Sequence, residues 1–82
     1  MHFKVSSLRI VKIAADSYHF ILDGQFRQID EIINSVQLMA MLGRESLEDS
    51  NAQPVQVADV MEAVDALPVD RAIDYAVVER IG

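Results

Sequence analysis

Asp16, His19 and Asp23 are spaced three and four residues apart, which puts their side chains on one face of a helix. Two carboxylates flanking an imidazole could ligate a divalent metal, or form a general base oriented by an acid. Lys12 extends the same strip. Three short side chains on one helix cannot enclose an ion without a second element, so the strip reads as a solvated polar face, and no metal or cofactor is expected. Nor does the rest of the chain suggest catalysis. Its glycines stand alone at 24, 43 and 82, so none forms a phosphate-binding loop. There is no cysteine nucleophile, and no serine lies in a nucleophile-elbow context. The expectation is that the protein is not an enzyme.

The elements that would carry these residues follow from the spacing of apolar positions. Leu8, Val11, Ala15, Tyr18 and Leu22 step by three and four, as do Phe26, Ile29, Ile33, Val36 and Ala40. Both runs match the helical period. Ser7 can cap the first helix, while Gly24 and Gly43 can close the first and second. Asp23-Gly24 is also a strong two-residue hairpin signal. Folded that way, Leu22 would face Gln25, Phe20 would face Arg27 and Tyr18 would face Ile29, leaving both faces mixed, which a half-buried hairpin should not be. After the polar, acidic segment Gly43 to Gln53, the positions Val57, Val60, Val64 and Leu67 form a third stripe, bounded by Pro54 and Pro68. VDRAIDYAVVERI supplies a fourth, with Val69, Ile73, Ala76 and Val77 on one side, Asp70 in its first turn and Arg80 in its last.

The fold expected is therefore all-α: a single domain over residues 1–82 of about four helices. A helix pair over about 7–43 and another over about 54–81 are joined by an acidic loop, 44–53. The alternative is α+β, an N-terminal β-hairpin followed by helices, because the first segment is rich in β-branched and aromatic residues.

A chain of 82 residues buries only about 60% of its unfolded surface, yet 51% of its residues are hydrophobic. Some of that apolar surface is expected to meet a partner or a second copy. Ile13 and Phe20 fall off the main stripe of helix one, while Ile10 and Ile21 widen it, so these four are the expected interface residues of a homodimer or partner complex. Met39 and Met41, soft side chains suited to adaptable contacts, join them.

The net charge is −6 and arises wholly in residues 42–82, where nine acids oppose three bases. Without a basic stripe, direct nucleic-acid binding is not expected. The start of the chain lacks a continuous apolar signal region, and no run approaches the roughly 18 apolar residues of a membrane span, so a cytoplasmic setting is expected. The functional expectation is a small intracellular protein–protein interaction module, acting as a regulator, inhibitor or assembly or secretion chaperone through apolar helix faces. The alternative is an acidic inhibitor or nucleic-acid mimic that blocks a basic, nucleic-acid-binding partner through Asp59, Glu62, Asp65, Asp70 and Asp74.

Overall fold

The computed structural model describes the backbone of residues 2–81 and the side chains of residues 4–79. Its core is a five-stranded antiparallel sheet with two short helices on one side, which overturns the helical-bundle expectation. The strands are β1 (His2–Ala14), β2 (Ser17–Asp23), β3 (Gln28–Ile33), β4 (Ser46–Glu48) and β5 (Ala72–Ile81). Helix α1 (Ser35–Leu42) follows β3, and α2 (Val57–Asp65) follows β4. Spatial order across the sheet is β3-β2-β1-β5-β4. The α+β alternative is nearer to this architecture, but the chain closes on a strand, not a helix.

Period-two alternation governs the first half once the correct turns are known. β1 and β2 form a hairpin around Ala15 and Asp16, with Asp16 at φ 56 and a one-residue register shift between Lys12 and Ala14. That shift places Ile13 in a bulge. Asp tolerates the left-handed conformation better than most residues, and its carboxylate accepts hydrogen bonds from the Ser35 backbone N–H and hydroxyl at the start of α1.

The second hairpin does begin at Asp23-Gly24, but its loop is four residues long. Gly24 N–H donates to Arg27 O at 3.0 Å, and Asp23 pairs with Gln28. This register sets Leu22 against Ile29 and Tyr18 against Ile33, so one face becomes apolar except for exposed Glu31 opposite Phe20, where a two-residue turn gave mixed faces. Leu8, Ile10, Tyr18, Phe20, Leu22 and Ile33 all point to the same buried side. The three–four stripe over 8–22 failed because it mixed faces: Val11 points to the opposite side of β1 and Ala15 lies in the turn.

The predicted helix over 26–43 shrinks to α1. Asn34 and Gln37 form a capping box there: Asn34 Oδ1 accepts from Gln37 N–H at 2.8 Å, and Gln37 Oε1 accepts from Asn34 N–H at 2.9 Å. Gly43 ends α1 with φ −63, so it is not the left-handed cap expected of it. Gly24 caps no helix at all; it is needed for space, since a Cβ there would lie 2.6 Å from Ser6 Oγ.

The expected fourth helix is β5. Pro68 closes a turn by accepting from Arg71 N–H at 3.2 Å, with Asp70 at φ 70, the sign that a type II turn demands at its third position. Asp70 N–H then donates to Lys12 O, and Arg71 O accepts from Lys12 N–H, which starts β5 in register with β1. Ile73, Tyr75 and Val77 turn toward the core, while Asp74, Ala76 and Val78 turn away. Ile73 and Val77 are four apart and satisfy both periods, which is why the helical reading of this segment succeeded on paper.

Leu38 and Leu42 from α1, Val60 and Val64 from α2, and Leu47 from β4 complete the core over β1, β2 and β5. Each fully buried apolar side chain contributes about 1.5–3 kcal/mol relative to exposure. The edges are blunted. β3 carries Asp30 and Glu31, and β4 is three residues long, beside a bridge from Glu48 to Pro54.

Candidate functional site

Both helices lie on one side of the sheet, so the other side is bare. It is formed by the odd-numbered residues of β1 and β2 and the even-numbered residues of β3, β4 and β5. Strands of an antiparallel sheet exposed on one face normally alternate polar outward. Here the outward set includes Val5 and Ile32, which are 63% and 67% exposed, together with half-buried Val11, Ile21 and Val78.

Two polar pairs interrupt the apolar surface. Arg9 and Asp74 sit opposite each other on β1 and β5, and the guanidinium grips the carboxylate through Nε at 2.8 Å and Nη2 at 3.2 Å. The hydrogen bond to Arg9, helped by its charge, holds the Asp74 carboxyl below its usual range against an opposing burial effect. His19 on β2 is bonded to Asp30 on β3.

Three hollows adjoin across this face, transverse to the strands. One of about 290 Å³ lies between β2 and β3 and includes Ile21, Asp23 and Asp30. The next, about 390 Å³, shares Ile21 and Asp23 and reaches Arg9 and Asp74. A third, also about 390 Å³, shares Asp74 and runs past Val5 and Ala76 to Glu48 and Asp49. Together they make a shallow trough over all five strands, about 20 Å long at the usual strand spacing.

The residues singled out from sequence are distributed differently from expectation. Asp16, His19 and Asp23 do not converge. Asp16 binds Ser35 at the start of α1, and the Ser35 hydroxyl and then its N–H hold the Asp16 carboxyl below its ordinary range. Asp23 accepts from Gln28 Nε2 at 3.3 Å. Among the described residues no three His, Cys, Asp or Glu side chains gather as a metal site.

Of the expected interface residues, Ile10 and Phe20 are 0% and 1% exposed inside the chain's own core. Both sit at even positions of strands whose even side faces the helices. Met41 packs against the core edge. Ile13 is half-buried in the bulge, Met39 is exposed on α1, and Ile21 alone lies on the trough floor.

The acidic set splits likewise. Asp59, Glu62 and Asp65 line the exposed side of α2, Asp70 occupies the turn before β5, and Asp74 belongs to the open sheet face. Reasoning from the sequence passed over Val5, Arg9 and Asp30 as surface residues. The alternation of Val5, Ser7 and Arg9 against Ser6, Leu8 and Ile10 could have found the first two.

Elsewhere Arg27, Lys12 and Lys4 are engaged within the chain. Arg27 Nη2 bonds Glu45 at 2.6 Å and its Nε bonds Glu79 at 2.7 Å, tying the β2–β3 loop to the end of α1 and to β5. Lys12 Nζ donates to Asp65 O at 2.6 Å, at the C-terminal end of α2. Lys4 stands 5.2 Å from the centre of the Phe26 ring. No helix among the described residues is long and apolar enough to cross a membrane. No family model matches the chain, and neither the curated proteins nor the solved structures contain a significant match to it.

Proposed function

We propose that this chain is a cytoplasmic protein-binding module, not an enzyme, and that the sheet face opposite its helices is the binding surface. The observation that carries this is the set of outward apolar side chains on that face, Ile32, Ile21 and Val11 toward one end and Val5 and Val78 toward the other, with Arg9 and Asp74 between them. A five-stranded face about 20 Å by 25–30 Å offers on the order of 500–600 Å², near the lower range of what one partner contributes to a specific interface. Its apolar patches flank the central Arg9–Asp74 pair, and carboxylates stand at its edges.

Of the residues expected from the sequence at a homodimer interface, only Ile21 lies on this face. Two copies placed face to face would bring Asp23, Asp30 and Glu48 of each toward those of the other, and like charges across an interface oppose association. A different protein is the better occupant. The roles of regulator, inhibitor or assembly chaperone fall within this reading.

The test is capture from host extract with three baits: the wild type, Val5→Lys with Ile32→Lys, and Val36→Lys with Met39→Lys. All four positions are exposed, so each bait should keep its melting temperature. The sheet-face pair should lose a partner that the α1 pair retains. Equal loss from both baits, or retention by the sheet-face pair, would remove the open face as the binding surface.

A further inference from the structure

The charges of the trough specify the chemistry of what it takes. Five carboxylates border it, those of Asp23, Asp30, Glu48, Asp49 and Asp74, against Arg9 as the one basic side chain among the described residues there. Arg9 and Asp74 neutralise each other, which leaves four carboxylates, one of which, Asp30, is bonded to His19. Between the acids the floor carries Ile21 on one side and Val5 and Ala76 on the other, with Ser7 and the Arg9–Asp74 pair between them. We propose that the trough docks a cationic amphipathic helix of a partner protein, with apolar residues on that floor and lysines or arginines over Asp23, Asp30 and Glu48. The proposal rests on the reading of the open face as the binding surface and gives its partner a chemistry.

The trough's direction selects a helix. A strand laid across a sheet face cannot join the ladder and would carry its own backbone groups unpaired into the contact. A helix satisfies its backbone internally, and about 13–14 residues span 20 Å at 1.5 Å per residue. The acids are strung along the trough instead of gathered, so they match charges repeated along a helix, not a single metal ion. A second copy would bring more carboxylates to the same place.

The probe is a peptide of about 14 residues, LKKLLKLLKKLLKL, titrated into the isotope-labelled full chain while amide shifts are followed. Saturable shifts are expected at Ser7, Arg9, Ile21, Asp23 and Asp74. Asp23→Asn with Asp30→Asn and Glu48→Gln should weaken binding about tenfold. Asp59→Asn with Glu62→Gln and Asp65→Asn removes the same charge from α2 and should weaken it less than about twofold.

Equal weakening by the two triple variants would reduce the effect to net charge and overturn the proposal. So would equal binding of the acidic counterpart LEELLELLEELLEL. A wild type that sediments as a dimer, with the trough amides protected, would seat a second copy there and refute the cationic helix while leaving the open face as the interface. Shifts confined to α1 and α2 would remove both.

Discussion

Gly24 lies against Ser6 at the end of the sheet, and replacing it with alanine tests that contact. A Cβ at Gly24 would stand 2.6 Å from Ser6 Oγ, 3.0 Å from Arg27 O and 3.3 Å from Ser6 Cβ. Comfortable separations of such atoms are about 3.5 Å or more, so the hydroxyl must move or the loop must retreat. Retreat would strain the bond from Gly24 N–H to Arg27 O. Overpacking of this kind costs about 1–3 kcal/mol, and on a domain of this size each kcal/mol lowers the melting temperature by about 4–8 °C.

Ser6 makes the experiment decisive. It is 2% exposed, and its hydroxyl has no hydrogen-bond partner among the described residues. Ser6→Ala should therefore be neutral or stabilising by up to about 1 kcal/mol, since no bond is lost. In the double variant the worst overlap disappears, while the approach to Arg27 O remains. About 1 kcal/mol of the Gly24→Ala cost should return as coupling between the two sites. Urea unfolding of the four proteins, followed by circular dichroism, measures it. Additivity within about 0.3 kcal/mol would refute the packing of the loop on β1.

Three further outcomes follow from the same structure. Phe20→Ala should cost about 3–5 kcal/mol of stability, a large share of the usual total; loss of a partner with the unfolding midpoint unchanged would put Phe20 at an interface instead. Arg27→Met should cost about 1–3 kcal/mol in urea unfolding, because it strands the poorly exposed carboxylates of Glu45 and Glu79 beside each other. Adding Glu79→Gln should recover part of that loss, and no recovery would deny the shared ion pair. Stability should also fall at both ends of the pH range. Asp16 and Asp74 titrate below their ordinary values, so their contribution is complete above about pH 4 and disappears as pH falls through the lower folded values. Burial, with nearby carboxylates adding to it, raises Tyr18 and Tyr75, so their share holds below about pH 10 and is lost as pH rises through the folded values. Urea midpoints across pH test this, and an acid limb unchanged in Asp16→Asn with Asp74→Asn would contradict it.

Much of the fold was written in the chain, but in a period that depends on where the turns fall. Val57, Val60 and Val64 mark α2 without ambiguity, because no alternation competes there. Ile73 and Val77 serve a helix and a strand equally, and only the β-branched and aromatic character of the segment favours the strand. Tyr18, Leu22, Ile29 and Ile33 share a face only after Asp23-Gly24 opens a four-residue loop, closed by Gly24 N–H on Arg27 O with Gly24 packed against Ser6 of the neighbouring strand. The Asn34–Gln37 capping box was legible and marks where β3 gives way to α1. The trough was not, since its walls come from all five strands. Asp30, Ile21, Arg9, Asp74 and Glu48 become neighbours only through the sheet order, which places the last strand beside the first.

That placement has a mechanical consequence. β1 and β5 run antiparallel, and His2 pairs with Ile81, so the two ends of the described chain leave the sheet side by side. A force drawing those ends apart acts across the ladder and opens its hydrogen bonds one pair at a time, from His2 and Ile81 inward. The same number of bonds loaded in shear would have to break together. Tethered by its ends, the domain should peel open at low force, and the Arg9–Asp74 clasp should be among the later pairs to part.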